Sequence, residues 1–285
     1  MQNLVRKTII FAIFLGLVLV ITTLYYLRDP IYNKARYDYL STLSYNQVMA
    51  NYENKRAVEN STTRAMMIQN LFERMVVVYN HLYPEVQYNW ELNLIKSDNI
   101  NAYAMPSGGI VIFTGIIDEL ELTYAEVAAI IGHEMGHVIL EHARNRQAQE
   151  NLTEAAENIG SFVFQLLTGS NNARTDGVGD FVSRVLVGLT YSRTQELQAD
   201  VLGMYLIANA GIDPSAAVSV FQKLGTLESS DSDFRSDHPY SEKRVSLLQK
   251  HLPQAKEIYE LMTIYQKHGV KENFPYVKPN LQNRY

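Results

Sequence analysis

The stretch from Gly132 to His137 constrains this chain more than any other, because it holds two histidines four residues apart with a glutamate between them. On an α-helix, residues four apart lie on one face, so the rings of His133 and His137 can point at a common centre. Two neutral imidazoles that converge in this way suit a zinc ion. Glu134 would project beside the metal, where a carboxylate can accept a proton from water. The alternative is a buried helix that contains two hydrogen-bonded core histidines.

The residues before this motif predict that it lies on a helix. Thr123 and Glu126 have the spacing of a capping box, and an apolar run follows them into the motif. Gly132 and Gly136 lower helix propensity by about 1 kcal/mol each, but residues this small allow another helix or a peptide to approach closely. His142 falls on the opposite side of an ideal helix, so we expect a surface or second-layer residue, not a metal ligand.

Composition limits the other possibilities. The chain has 285 residues, 47% of them hydrophobic, and a formal charge of -5, which is enough length and apolar character for one sizeable core. The mild acidity argues against nucleic acid as the main partner. Because there is no cysteine, disulfides and thiolate metal sites are excluded.

The N-terminal segment predicts a membrane anchor. Thr8–Leu27 contains no charged residue, and about 20 apolar residues span the hydrocarbon core of a bilayer. A cleaved signal peptide is the alternative, but the run is long for one and no Ala-x-Ala site follows it. Arg6 and Lys7 favour a cytoplasmic N-terminus, although three basic residues shortly after the run partly offset this bias. We therefore expect a single-pass protein, held in lipid by this helix, with its main domain on the extracytoplasmic (periplasmic) side.

The rest of the chain predicts helices around a small sheet. Residues 30–89 have a helical pattern and form a connector with leading helices, whereas residues 90–95 and 110–114 are rich in strand formers. An edge strand of this sheet could bind an extended peptide, although an ordinary hairpin is the alternative. Residues 245–261 indicate a helix interrupted at Pro253. The expected organisation is an anchor in 1–29, the connector in 30–89, the main domain in 90–265 and a tail in 266–285.

A catalytic zinc usually has three protein ligands and one open position, so a third ligand is needed. Position 143, six residues after His137, is an alanine, which excludes one common pattern of three histidines. Glu157 follows His137 by 20 residues, a plausible spacing for a third ligand, but no carboxylate lies four residues after it. Glu196 has Asp200 four residues later, so one carboxylate can bind metal while the other orients a ligand histidine. The alternative is a solvated acidic face, but the apolar neighbours indicate burial, and two buried carboxylates need a cation.

These segments together resemble a known family. The motif helix and the later segment Glu196–Asp200 are similar to the zinc metallopeptidases that include HtpX and the CAAX prenyl endopeptidases. Residues 101–110 resemble the strand ahead of the motif helix, and Asp237-His238-Pro239, followed by Arg244, resembles a late His-Pro motif. The likeness covers roughly residues 90–248. A single N-terminal span differs from the multi-span relatives and resembles instead the single-anchor or exported members that act in quality control.

The resemblance implies a fold, a cofactor and roles for five residues. The fold is α+β and mainly α-helical, a zincin-type domain with a small sheet and an active-site helix. His133, His137 and Glu196 would bind one zinc ion per subunit. Glu134 would act as the catalytic base, and His238 would help to stabilise the oxyanion. For His238 the sequence alone supports a turn histidine before Pro239 equally well.

The function implied is a membrane-anchored zinc endopeptidase that acts on unfolded or membrane-proximal polypeptides. In it, Asp200 would orient a ligand histidine and Arg244 would pair with a buried carboxylate. One alternative is a catalytically silent chaperone or assembly factor that keeps the fold and the metal. Another is an exopeptidase, which a cleft closed at one end would favour.

The choice of third ligand can be tested on the purified protein. Glu196→Ala should lower the zinc content, because it removes a ligand, whereas Glu157→Ala should not. Metal analysis of the two variants decides the matter, and the opposite result would make Glu157 the ligand.

Overall fold

The computed structural model of the chain describes residues 13–14, 16–18, 20–21, 34–146, 191–227, 232–269 and 274–281. The chain divides into two compact units, one of Met1–Leu40 and Arg144–Asp180 and the other of Ser41–Ala143 and Phe181–Tyr285. Helix α1 (Lys34–Asn54) begins in the first unit, and every other element described below belongs to the second. The domain boundaries expected from the sequence stay predictions.

The predicted membrane anchor, Thr8–Leu27, lies largely outside the described residues, as does Glu157. Within the described ranges, no helix combines the length and the apolar character needed to cross a bilayer. The anchor therefore stays a prediction.

The described part of the chain is mainly helical and contains one small sheet, which confirms the expected fold class. After α1 come α2 (Thr63–Leu82), α3 (Thr114–Glu119), α4 (Tyr124–Ile139), α5 (Arg193–Asn209), α6 (Ser215–Leu224), α7 (Asp233–Asp237) and α8 (Glu242–Lys267). The strands β1 (Glu91–Ile95), β2 (Ala102–Ala104) and β3 (Gly109–Phe113) lie between α2 and α3.

The sheet has the strand order β1-β3-β2, with β1 parallel and β2 antiparallel to β3. Strand β3 is buried along its whole length, as expected for a central strand of branched and aromatic residues. Gly108 turns the chain from β2 into β3 with a φ of 105°, which residues with a side chain rarely adopt. Strand β2 is left at the edge of the sheet.

Helix α4 begins as predicted, with a capping box. The Thr123 hydroxyl accepts a hydrogen bond from the Glu126 backbone N–H, and the Glu126 carboxylate accepts one from the Thr123 backbone N–H. The same carboxylate accepts a hydrogen bond from Lys223 Nζ at 2.9 Å. Because Lys223 belongs to α6, this ion pair joins the start of α4 to α6.

Helices α4 and α5 approach closely at their glycines. A Cβ atom on Gly132 would lie 2.9 Å from the carbonyl oxygen of Gly203, and one on Gly203 would lie 2.7 Å from the carbonyl carbon of Gly132. A Cβ atom on Gly136 would lie 2.9 Å from the carbonyl oxygen of Ala199. These distances exclude a side chain at any of the three glycines. The close approach predicted for the motif glycines is therefore made by another helix, and it sets the distance between the motif histidines and α5.

The remaining helices enclose this pair. Helix α2 buries Ile68, Phe72 and Met75 in the same core that holds α4 and α5. Helix α8 continues through Pro253, with Leu248 buried before the proline and Ala255 buried after it. The interruption expected at Pro253 was therefore wrong. A proline removes one backbone hydrogen bond, and burial of residues before and after it can offset that loss.

The tail is fixed to the end of α5 by one amide side chain. Asn209 is 1% exposed, and its Nδ2 donates a hydrogen bond to the Val277 carbonyl oxygen at 2.9 Å. Its Oδ1 accepts one from the Val277 N–H, also at 2.9 Å. The amide thus satisfies both backbone groups of Val277, as a neighbouring strand would.

We expect Gly203→Ala to destabilise the protein. Alanine improves helix propensity by about 1 kcal/mol, but its methyl group would overlap the α4 backbone at Gly132, and overpacking of this kind costs about 1–3 kcal/mol. The thermal midpoint should fall by several degrees, measured by circular dichroism or calorimetry. Thr194→Ala, at an exposed position of the same helix, should leave the midpoint nearly unchanged. An equal midpoint for Gly203→Ala and the parent chain would contradict the close packing.

Candidate metal centre

The candidate site lies between α4 and α5, where both helices are buried. His133, Glu134 and His137 are 1–2% exposed, and Glu196 and Asp200 are 1% exposed. Helix α5 begins with a capping box at Ser192 and continues through the glycine contact, so its first two turns face the motif histidines. The predicted burial of the two carboxylates is thus observed.

Four side chains converge on one centre. His133 Nε2 lies 3.0 Å from His137 Nε2 and 3.0 Å from His238 Nδ1. Glu196 Oε1 lies 3.3 Å from His137 Nε2 and 3.2 Å from His238 Nδ1. All four donor atoms lie within 4.8 Å of one another.

The donor set fits a zinc ion. Zinc bonds to histidine and carboxylate donors are about 2.0–2.2 Å long, so neighbouring donors of a tetrahedral site are about 3.3 Å apart. The separations of the nitrogen and oxygen atoms around His133 and Glu196 are close to that value. Burial of three imidazoles and a carboxylate in one cluster, with ring nitrogens facing each other, is also what a shared cation would stabilise.

Burial and neighbouring charges set the protonation of the donors. Burial lowers the pKa of His137 well below its usual range, which favours the neutral imidazole that binds metals. Burial alone would raise the pKa of Glu196, but Arg244, and after it His238, hold that pKa well below the usual value. Glu196 is therefore ionised although it is buried.

Arg244 carries the positive charge that the buried carboxylates need. Its Nη1 lies 2.6 Å from Glu196 Oε2. Its Nε and Nη2 donate to the two carboxylate oxygens of Asp200, each at 2.7 Å. The guanidinium also stacks over the Phe221 ring, 4.3 Å from its centroid. One arginine, 2% exposed, thus holds both carboxylates of α5 in place.

Asp200 also contacts a motif histidine. Its Oδ1 lies 2.9 Å from Nδ1 of His133, on the opposite side of the ring from the donor cluster. A carboxylate at this distance can orient the ring through its charge and leaves Nε2 free for a metal. The sequence had suggested this role for Asp200.

His238 lies where α7 ends, with its ring in the donor cluster. It stacks on Phe234, with centroids 4.6 Å apart, and its Nε2 lies 3.4 Å from Glu134 Oε1. Burial would lower the pKa of His238, but the carboxylates of Glu196 and Glu134 outweigh this effect and raise it. The ring therefore contacts both the donor atoms and the predicted base.

His142 is not on the surface. It is 4% exposed, and its Nδ1 lies 3.0 Å from His137 Nδ1. Helix α4 ends at Ile139, and Glu141 has a φ of 53°, so the chain changes direction before His142. An ideal helix extended beyond α4 therefore placed this ring on the wrong side. The second-layer position, one of the two expected, is the one observed.

Tyr191 is a site residue that the sequence interpretation missed. Its ring stacks on His137 with centroids 3.8 Å apart, and its backbone N–H donates to the Asp237 carbonyl oxygen at 3.2 Å. Its position just before the N-cap Ser192 was the available signal. A residue that precedes the N-cap lies next to the first turn of α5, and that turn also carries Glu196.

A helix that carries two histidines and a glutamate, with a buried glutamate from a second helix facing them, is an arrangement used by zinc-dependent peptidases. The chain belongs to Peptidase family M48, whose model matches residues 62–252. The family assignment confirms the zinc metallopeptidase class and the zinc cofactor that the sequence predicted.

Three relatives show how far the similarity extends. Mitochondrial metalloendopeptidase OMA1 of Arabidopsis thaliana is 34% identical over 63% of this chain and 34% of its own length. Metalloprotease LoiP of Escherichia coli is 31% identical over 55% of this chain and 59% of its own length. The mitochondrial metalloendopeptidase OMA1 of Bos taurus is 25% identical over 81% of this chain and 45% of its own length. The chain thus spans less than two thirds of each. None of the three is an HtpX or CAAX prenyl endopeptidase, so the earlier resemblance holds at the level of the family.

We expect Arg244→Met to destabilise the protein strongly, because it leaves two buried carboxylates without their cation. Breaking a buried ion pair from one side costs about 3–5 kcal/mol. Urea denaturation at pH 7 with excess chelator measures the loss, and Lys243→Met, an exposed neighbour, is the matched control.

The same comparison has a defined pH dependence. The folded-state pKa of Glu196 is depressed, so its stabilisation is present above the unfolded value of about 4.3 and is lost as the pH falls. The difference in stability between the parent chain and Arg244→Met should therefore shrink below about pH 4. A difference that stays constant down to pH 3 would contradict the assigned ion pairs.

Proposed function

We propose that this chain is a zinc-dependent endopeptidase that hydrolyses peptide bonds of unfolded or membrane-proximal polypeptides in protein quality control. The observation that carries the proposal is the position of Glu134, a carboxylate 1% exposed and directly beside the donor cluster. Burying a carboxylate is costly, and a site that only stored a metal would not need this one. A base for hydrolysis is needed at that point.

His133, His137 and Glu196 are the residues that would hold the zinc. They come from two helices fixed by backbone contact, whereas His238 comes from the segment after α7. A catalytic zinc uses three protein ligands, which leaves the fourth side chain available for another role. When bound, zinc polarises the peptide carbonyl and lowers the pKa of water to about 7.

Glu134 is suited to move the proton. Burial raises its pKa, which makes the carboxylate a stronger base than an exposed glutamate. The backbone of Ala104 hydrogen-bonds this carboxylate and keeps it beside the sheet edge. Glu134 would accept the proton of the attacking water and then donate it to the leaving amine.

His238 would stabilise the negative charge that develops on the carbonyl oxygen. Its raised pKa favours the protonated ring, which can donate a hydrogen bond to an oxyanion. The 3.4 Å separation of its Nε2 from Glu134 Oε1 puts this donor beside the base.

The edge of the sheet offers a place for the substrate backbone. Strand β2 pairs on one side with β3, and Ala104 at its end contacts Glu134. An extended peptide that added to the outer edge of β2 would bring its backbone past the base. This binding mode favours internal segments of unfolded chains, and hence endopeptidase rather than exopeptidase action.

The biological setting is inferred from the N-terminal run and from the relatives. An anchor at residues 8–27 would place the catalytic unit next to the membrane, on the extracytoplasmic side if the basic flank is cytoplasmic. The names of the relatives include mitochondrial metalloendopeptidases and a bacterial metalloprotease, which favours proteolysis over the silent chaperone alternative. A CAAX-processing role has no support among these three relatives.

Glu134→Gln tests the proposal. The amide keeps the shape of the side chain but cannot accept the proton, so hydrolysis of casein should fall by at least about 100-fold. Zinc content and thermal midpoint should stay close to those of the parent chain, and a chelator should abolish the parent activity. Glu119→Gln, on the exposed end of α3, is the matched control and should keep full activity.

Two results would contradict the assignment. Undiminished hydrolysis by Glu134→Gln would show that another group is the base. A parent chain that binds zinc stoichiometrically but cleaves no unfolded protein would instead favour the silent chaperone.

A further inference from the structure

The two motif histidines have different neighbours on the side of the ring that faces away from the donor cluster. His133 has the Asp200 carboxylate at its Nδ1, at 2.9 Å. His137 has another imidazole there, with Nδ1 of His142 at 3.0 Å from its own Nδ1. Both neighbours are buried, at 1% and 4% exposure.

The contact between the two Nδ1 atoms fixes the position of two protons. Two nitrogen atoms 3.0 Å apart form a hydrogen bond only if one carries a proton and the other presents a lone pair. His137 faces the donor cluster with Nε2, so metal binding requires that nitrogen to be unprotonated. A neutral His137 therefore carries its proton on Nδ1 and donates it, and His142 Nδ1 is the acceptor.

The surroundings of His142 support the acceptor state. If its Nδ1 accepts, a neutral ring carries its proton on Nε2 and needs an acceptor there. The Gln198 side chain hydrogen-bonds the His142 ring, and its amide oxygen can accept that proton. Gln195 Nε2 donates to the His142 carbonyl oxygen at 3.3 Å, which holds the backbone of the residue to α5.

We propose that His142 is a positioning residue that holds His137 in the Nδ1-protonated tautomer, with its Nε2 directed at the metal. The inference rests on the proposed function, because it takes His137 as a zinc ligand. The chain Gln198–His142–His137 then extends the metal centre into the first turns of α5. The site is asymmetric, since a carboxylate orients His133 and a neutral imidazole orients His137.

Zinc affinity of the full-length chain tests this role by separating hydrogen bonding from packing. His142→Leu fills similar space without an acceptor, whereas the Oδ1 of His142→Asn can take the place of the ring Nδ1. Loss of an outer hydrogen-bond partner typically weakens metal binding by about 10-fold to 100-fold. We expect that loss in His142→Leu, measured by competition with a chromophoric chelator. His142→Asn should restore most of the affinity, and His268→Leu, at an exposed histidine, should have no effect.

Parent affinity in His142→Leu, or an equal loss in the leucine and asparagine variants, would overturn the proposal. Failure of the proposed ligand set is recognised separately with His137→Ala. If that variant keeps the parent affinity, His137 is not a ligand and the proposed function fails as well. If His137→Ala loses zinc while His142→Leu keeps it, only the role of His142 is wrong.

A direct measurement covers the case in which His142→Leu does not fold. In the zinc-loaded parent chain, ¹⁵N-detected histidine spectra report which ring nitrogen carries the proton. We expect His137 to be protonated on Nδ1 and His142 on Nε2. A proton on Nδ1 of His142 would overturn the proposal, whatever the affinity of the variants.

Discussion

The buried pairing of Arg244 with Glu196 and Asp200 is the interaction on which the site depends. Two carboxylates, each 1% exposed, are costly to bury between two apolar helices without a cation within bonding distance. The guanidinium meets both, and its planar fork matches the Asp200 carboxylate at two points. Asp200 can then orient His133, and Glu196 can face the donor cluster with its other oxygen. Arg244, on helix α8, thereby holds in place the carboxylates of a site whose proposed zinc ligands lie on α4 and α5.

The backbone contact between α4 and α5 supplies the second constraint. Because Gly132 and Gly203 leave no room for a Cβ atom, the two helices lie closer than larger side chains would allow. This spacing lets a short glutamate side chain on one helix reach two histidines on the other. The positions that hold the second layer, Asp200 and His142, depend on the same spacing.

Much of the site could be predicted from local sequence because its parts are periodic. A spacing of four residues places His133 with His137, and Glu196 with Asp200, whatever surrounds them. The capping box of α4 and strand β3 could also be predicted, because each depends on residues that are close together in the sequence. The second-layer position of His142 was among those expected, but the side on which its ring lies and the path of α8 through Pro253 were mispredicted, because helix geometry was extended past Glu141 in one case and broken in the other. Their outcomes depend on a left-handed backbone residue and on burial, which spacing alone does not reveal.

The sequence by itself determined the class of chemistry. It supplies two imidazoles and a carboxylate base on one helix and a second carboxylate, Glu196, on a later helix, and it contains no thiol. Only the tertiary structure decided which groups meet. Arg244 joins both carboxylates, His238 enters the donor cluster, Tyr191 stacks on His137, and His142 lies behind that ring. The physical reason is that these contacts join segments far apart in the chain. Their distances are set by how helices pack, through backbone contacts and the pairing of buried charges, whereas local periodicity extends only over a few turns.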